Sequence, residues 1–165
     1  MELAAIVYTS ATGFTRQYAG LLSAACGLPA MALKGAVPPP GPVLYLGWLR
    51  AGSVQGLRSA RRRFPVAGVC AVGMALPEQA DLERLRRANR AEDLPLFYLR
   101  GGYAPGRLGW ADRLAMAAME KWLAWQPGGI DPEMEAVFAR GADWVSSAQL
   151  SPVLSWLERG WTHAP

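Results

Sequence analysis

Five short apolar runs lie along the chain, and each is followed by a loop that contains glycine or proline. The runs are rich in β-branched and aromatic residues and do not alternate with polar residues, which is typical of strands buried on both faces. A half-buried strand would instead place a polar residue at every second position. We therefore predict five strands, at residues 3–8, 30–33, 43–48, 66–74 and 95–99.

Segments with helical spacing of apolar residues separate these runs. The first covers residues 16–26, where Tyr18 and Leu22 recur at helical spacing and Gly27 ends the pattern. Strands that alternate with helices predict a parallel sheet with right-handed crossovers. We expect a doubly wound α/β fold, with helices on both faces of the sheet and the strand order 2-1-3-4-5. Further helices are predicted at residues 54–63, 78–90 and 110–125, from 131 onward, and at 152–159.

The composition suits one domain with a substantial core. The chain has 165 residues, 52% of them hydrophobic, and no uninterrupted apolar run of about 18 residues that could span a membrane. We expect a single domain over residues 1–165. The start, Met1-Glu2-Leu3, lacks the basic region of a signal peptide, and Cys26 and Cys70 fall in predicted elements, where we expect both to be buried. These features predict a cytoplasmic location.

The charge of the chain is positive, with a formal net charge of +4 and a sequence pI near 9.4. A basic balance of this size favours an anionic membrane surface, nucleic acid or an acidic substrate as partner. We expect no nucleic-acid partner, because no recognised nucleic-acid-binding module accompanies the charge. A peripheral position at the inner face of a membrane stays open.

The first predicted turn from strand to helix, residues 9–15, holds four hydroxyl groups and one glycine. Such a turn directs backbone N–H groups and the positive end of a helix dipole at one point, which suits a phosphate. Gly13 lets the backbone approach closely, while Ser10, Thr12 and Thr15 can donate hydroxyl hydrogen bonds. The alternative is an ordinary helix N-cap in a Ser/Thr-rich turn. The sequence is neither a dinucleotide-binding glycine loop nor a P-loop.

The order Ser10-x-Thr12-Gly13-x-Thr15 resembles the phosphate loop of flavodoxins, which hold FMN without a lysine or a metal. Two further glycine-containing loops, the second at residues 47–52 and the third at residues 101–103, follow strands at the same expected edge of the sheet. In flavodoxins these loops hold the isoalloxazine ring, and Trp48 and Tyr103 stand where an aromatic residue is expected, with ordinary packing as the alternative. The resemblance implies a three-layer flavodoxin-like fold with FMN as cofactor. It implies a cofactor site formed by Ser10, Ala11, Thr12, Gly13, Phe14, Thr15, Trp48, Leu49, Arg50, Ala51, Gly52, Gly101, Gly102 and Tyr103.

About forty residues, from Ala104 to Val145, separate the fifth strand from the last helix, where a minimal flavodoxin has almost none. We predict a helical insertion there. One interpretation is that the insertion covers the edge of the flavin, and the other is that its aromatic residues pack it onto the sheet. On the apolar side of its first helix we expect Met116, Met119, Trp122 and Leu123.

The insertion resembles that of the menaquinone-dependent protoporphyrinogen oxidases, which are themselves flavodoxin-like. The resemblance implies that Trp110 and Arg113 contact a substrate and that a quinone accepts electrons. A broader set of bacterial flavodoxin-domain proteins shares elements similar to Gly101-Gly102-Tyr103 and Gly141-Ala142-Asp143-Trp144, and this chain resembles that set more. The run that matches the oxidases consists of Trp110, Asp112, Arg113, Leu114 and Met116.

No acid–base or nucleophilic constellation is visible, so no catalytic residue is assigned. The only histidine, His163, lies two residues from the end, and no ligand spacing indicates a metal. FMN would carry the redox chemistry itself. Three functions stay open: an FMN-binding redox protein that exchanges electrons with a partner protein or small substrate, a protoporphyrinogen oxidase-like enzyme with a quinone acceptor, and a binding module without flavin. A homodimer is an open alternative to a monomer.

Overall fold

The computed structural model describes residues 2–160, and a sheet of five parallel strands with one short antiparallel addition lies at its centre. The strands are β1 (Ala5–Thr9), β2 (Ala30–Ala32), β3 (Val43–Arg50), β4 (Ser53–Val54), β5 (Val66–Gly73) and β6 (Leu96–Arg100). The parallel strands follow the spatial order β2-β1-β3-β5-β6, and β4 pairs antiparallel with β3. The predicted order 2-1-3-4-5 of the five parallel strands is therefore confirmed.

Helices cover both faces of the sheet, as an α/β fold requires. They are α1 (Phe14–Cys26), α2 (Leu57–Arg63), α3 (Leu82–Ala88), α4 (Trp110–Ala124), α5 (Pro132–Arg140) and α6 (Ser151–Glu158). Helices α1 and α6 pack over a core that contains Tyr18, Leu44 and Trp156, whereas α2 and α3 pack over a second core with Tyr45 and Leu57. Leu44 and Tyr45 belong to different cores because successive residues of a strand point to opposite faces.

Strand β3 turns back on itself, which the sequence pattern did not predict. Ala51 and Gly52 form its two-residue turn with φ of 48° and 79°, and β4 pairs with the end of β3. Positive φ at both positions gives a turn whose twist matches that of its strands. The helix expected from residue 54 therefore begins at Leu57, because Val54 already lies in β4.

The helical insertion leaves and re-enters the domain through a two-stranded antiparallel ribbon, formed by β7 (Gly102–Tyr103) and β8 (Ala142–Asp143). The two glycine-containing elements at 101–103 and 141–144 are thus neighbours in space. Between them, α4 and α5 enclose a small core of their own around Tyr103, Val137 and Phe138.

The expectation for the apolar side of α4 is half wrong. Met116 and Leu123 pack against the small core of the insertion, but Met119 and Trp122 are 39% and 62% exposed. The reason is geometric. Met119 lies at the border of the side that Met116 and Leu123 share, whereas Trp122 lies about 100° further round the helix. The aromatic residues of α4 therefore do not pack the insertion onto the sheet.

Two smaller expectations are also wrong. Helix α3 begins at Leu82 rather than at residue 78, because Pro77–Gln79 forms a separate 3₁₀ turn. Cys70 is buried as expected, but Cys26, the last residue of α1, is only half-buried. No helix within residues 2–160 is both long enough and apolar enough to cross a membrane.

Candidate functional site

The first and third predicted loops touch at the carboxyl edge of the sheet, and the contact point is Phe14. A Cβ atom on Gly101 would lie 3.3 Å from the Cβ atom of Phe14, and one on Gly102 would lie 2.6 Å from its ring. A side chain at Gly102 would therefore displace the Phe14 ring at the start of α1, while one at Gly101 would first meet Val72 at 2.6 Å. The first role of these glycines in the structure is to let the two loops approach.

The first loop starts α1 without the usual cap. Gly13 is the N-cap residue with a φ of 101°, and neither a side-chain cap nor an acidic residue stands in the first turn. The Gly13 N–H donates to the Ser10 hydroxyl oxygen at 3.1 Å. The N–H groups of Phe14, Thr15 and Arg16 have no partner within the helix, as at every helix start. This end of α1 is thus an uncapped positive dipole end.

Thr15 is the one buried polar residue among residues 2–160, with 1% of its surface exposed. Within the same part of the chain, its hydroxyl group has no hydrogen-bond partner. A buried hydroxyl without a partner costs about 1–3 kcal/mol of stability. Thr15 is the second residue of α1, so its side chain leaves the helix in the first turn, next to the loop. Residues Ser10, Thr12 and Gly13 of the loop are half-buried around it.

The second loop is the β3–β4 hairpin, and its residues alternate between the two sides of the sheet. Leu49 packs into the core under α2 and α3, so Trp48 and Arg50 point to the side on which α1 lies. Trp48 is half-buried. Asn89, at the end of α3, stabilises the hairpin. Its side chain accepts from the Val54 N–H at 2.7 Å and donates to the Gly52 carbonyl at 2.9 Å.

The hydroxyl group of Tyr45 joins the ends of the first two loops through hydrogen bonds. The Tyr45 hydroxyl lies 2.7 Å from both the Gln55 carbonyl oxygen and the Thr9 hydroxyl. Since a carbonyl can only accept, Tyr45 donates to Gln55 and accepts from Thr9. Burial raises the pKa of Tyr45 to about 12, so this group stays neutral at physiological pH.

The third loop uses its aromatic residue for packing. Tyr103 is buried and meets Phe138 edge to face, with ring centroids 6.0 Å apart. The residues beside it, Arg100 and Trp144, stack with the guanidinium 3.7 Å from the ring centroid. Tyr103 therefore joins the loop to the insertion, and the aromatic side chain best placed for a ligand ring is Trp48.

The insertion reaches the predicted loops through residues other than Trp110 and Arg113. Trp110 is 78% exposed, and Arg113 donates to the Leu108 carbonyl within the insertion. Instead, Asp112 pairs with Arg50 of the hairpin at 2.8 Å, and Arg107 donates to the Thr12 carbonyl at 3.2 Å.

The Arg107 contact spans 95 positions of the chain. From the sequence, Arg107 and Arg113 could meet the carboxylates of an acidic substrate or the phosphates of a membrane. The contact of Arg107 with Thr12 was missed, because nothing in the local pattern shows that the insertion folds back over the first loop. The Asp112 contact was missed for the same reason, although Asp112 belongs to the run that matches the oxidases.

Comparisons with protein-family models, with curated proteins and with solved structures find no match to this chain. Any statement on function therefore depends on the geometry of the loops. Within residues 2–160, no group of three or more histidine, cysteine or acidic residues could hold a metal ion. His163 lies outside the described residues.

A cleft of about 570 Å³ adjoins the first loop on the side of β2. Three cationic side chains line it, from Arg16, Lys34 and Arg63, together with Ser10. The lining contains no acidic residue. Arg63 is fixed in place by the Leu33 carbonyl at 2.6 Å and the Ala36 carbonyl at 2.9 Å. The surroundings of the first loop are thus strongly positive, which suits an anionic ligand.

Proposed function

We propose that the protein binds FMN at the three loops and transfers electrons to or from a partner protein or a small substrate. The observation that carries the proposal is the start of α1. It is an uncapped helix end led by Gly13, with a buried Thr15 hydroxyl that lacks a partner. An anion at this point would satisfy the free N–H groups and the hydroxyl together.

The donor set fits a phosphate monoester. The N–H groups of the first turn supply backbone donors, and Ser10, Thr12 and Thr15 supply hydroxyl groups. A phosphate dianion offers three oxygen atoms that accept hydrogen bonds and complements the positive charge of the neighbouring cleft.

The ring would lie at the hairpin. Trp48 offers an aromatic face at the end of β3, on the side of the sheet where α1 begins. Arg50, held by Asp112, keeps the hairpin against the insertion. When bound, FMN supplies electron transfer at its ring. The residues of this chain would then position the ring, limit its contact with water and determine which partner or substrate can reach it.

The finer fold assignment belongs to the same proposal. The strand order, helices on both faces and three loops at one edge support a flavodoxin-like fold in which the ligand lies outside the carboxyl ends of the strands.

Titration of the flavin-free protein with FMN tests the proposal. We expect one-to-one quenching of FMN fluorescence, and a visible flavin spectrum that stays with the protein through gel filtration. Riboflavin, which lacks the phosphate, should bind more weakly by at least about tenfold, because bonds to a charged acceptor contribute about 1.5–3 kcal/mol each. If neither flavin binds, the flavin proposal fails and the alternative of a binding module without flavin takes its place.

The exposed apolar side of α4 favours a second candidate, an oxidase-like enzyme with an apolar substrate or a quinone acceptor. Trp110, Leu114, Trp122 and Trp125 are 78%, 63%, 62% and 89% exposed. Several large apolar side chains left exposed on one helix commonly mark an interaction site. Trp110 begins α4 two residues before Asp112, so it is the aromatic residue of this helix that is nearest in sequence to the ion pair with the hairpin.

Replacement of Trp110 by alanine is expected to slow reduction of a bulky quinone by the FMN-loaded protein several-fold, with little change in FMN affinity. Arg113→Gln tests the other residue implied by the resemblance in the same assay. Trp125→Ala is the matched control, because Trp125 is equally exposed but lies about 22 Å further along α4. If Trp110→Ala and Arg113→Gln alter only the melting temperature, or Trp125→Ala slows the reaction as much, the oxidase-like candidate loses its support.

A further inference from the structure

Arg107 of the insertion lies on the first loop, at the start of α1. One guanidinium nitrogen donates to the Thr12 carbonyl at 3.2 Å. The same nitrogen lies 3.5 Å from the point where a Cβ atom on Gly13 would stand. A Cβ atom at that point would make only an ordinary contact with the arginine, so Gly13 is required for its left-handed φ of 101° and Arg107 packs directly against it.

The charge of Arg107 is not neutralised at this place. Within residues 2–160, neither Arg107 nor Arg16 forms an ion pair, and the first turn of α1 has no acidic residue. Two guanidinium groups thus stand near the positive end of a 13-residue helix. Cations stabilise the opposite end of a helix, so this arrangement is electrostatically unfavourable unless an anion joins it.

A second observation at the same loop also indicates a missing anion. The Thr15 hydroxyl, with 1% of the residue exposed, has no hydrogen-bond partner among the described residues. Thr15 lies in the first turn of α1, at the end of the helix where Arg107 contacts Thr12. A phosphate bound at this end of the helix would accept hydrogen bonds from the Thr15 hydroxyl and from the Arg107 guanidinium.

We propose that Arg107 is a phosphate-binding residue that the insertion supplies to the first loop, and that it makes the site selective for phosphorylated over unphosphorylated flavin. The inference rests on the proposed FMN site. It extends that site, because Arg107 belongs to the insertion and not to the three loops. A guanidinium with several N–H groups can keep its bond to Thr12 and still donate to a phosphate.

The assignment gives the insertion a role in recognition. Phosphate binding would hold the 3₁₀ turn Pro105–Arg107 against the first loop, and the Arg50–Asp112 pair would hold α4 against the second loop. The insertion would thereby be fastened at two points when the phosphate is present.

The test compares FMN and riboflavin binding in Arg107→Gln, Arg107→Lys and the wild-type protein. Glutamine can still donate to the Thr12 carbonyl, so the substitution removes the charge and leaves the loop contact available. We expect FMN affinity to fall at least tenfold in Arg107→Gln, riboflavin affinity to stay within twofold, and Arg107→Lys to recover part of the loss. Arg140→Gln is the matched control, because Arg140 is an exposed arginine at the end of α5 in the same insertion, and it should leave both affinities unchanged.

A second measurement does not depend on flavin. Inorganic phosphate should raise the melting temperature of the flavin-free wild-type protein above that in chloride of equal ionic strength, and Arg107→Gln should abolish the difference. A phosphate response that Arg107→Gln abolishes supports Arg107 as a phosphate-binding residue even if no flavin binds, whereas the flavin selectivity and the proposed function then fail. If phosphate does not raise the melting temperature of the wild-type protein above that in chloride, Arg107 does not bind phosphate. Equal FMN affinity in Arg107→Gln and wild type, or equal wild-type affinity for FMN and riboflavin, overturns the inference and leaves a flavin site in place.

Discussion

Replacement of Thr15 by valine is expected to raise the stability of the flavin-free protein and to lower its affinity for FMN. Valine keeps the shape of threonine and removes the hydroxyl, so the buried group without a partner disappears. The flavin-free protein should become more stable by about 1 kcal/mol, and its melting temperature should rise by about 2–4 °C. FMN affinity should fall about tenfold or more, because a hydrogen bond to a charged acceptor contributes about 1.5–3 kcal/mol.

Thermal melting of the flavin-free protein and fluorescence titration with FMN measure the two effects. Ser147→Ala is a suitable control, because Ser147 is an exposed hydroxyl residue outside the three loops and should alter neither quantity. A Thr15→Val protein with unchanged FMN affinity would place the phosphate elsewhere. A large loss of stability would mean that the hydroxyl already has a partner.

Replacement of Gly102 by alanine should damage the site through packing alone. The new Cβ atom would lie 2.6 Å from the Phe14 ring and against the Ala142 carbonyl oxygen of β8. Crowding of this kind typically costs about 1–3 kcal/mol, and here it separates the first loop from the third. We expect a lower free energy of unfolding in urea and weaker FMN binding, because Phe14 opens the first turn of α1.

Gly106→Ala provides the matched comparison within the insertion. A Cβ atom at Gly106 would have no neighbour within 4 Å, and its φ is not in the left-handed region. Alanine there should leave stability unchanged or raise it slightly, since it restricts the unfolded chain. If Gly102→Ala unfolds at the same urea concentration as the wild-type protein, the two loops do not meet at Phe14 as described.

The sequence pattern by itself determined the fold class, and the expected strand order agrees with the structure. Continuous apolar runs separated by amphipathic segments can be buried only in a sheet with helices on both faces. The sequence also indicated the first loop as a candidate phosphate site, because Gly13 and the hydroxyl residues around it are close together along the chain. The β3–β4 hairpin was missed, since Ala51 at a positive φ carries no signal that a glycine or asparagine would give.

The tertiary structure decided the rest of the candidate site. The contacts of Phe14 with Gly102 and of Arg107 with Thr12 join residues about ninety positions apart, and no local pattern encodes such contacts. The same holds for Tyr103, whose packing on Phe138 depends on where the insertion folds back. Local spacing determines which residues form a helix or strand, whereas the partners of a side chain follow from the way these elements pack. For that reason the sequence could indicate a candidate phosphate loop, and only the tertiary structure showed that Arg107 contacts this loop.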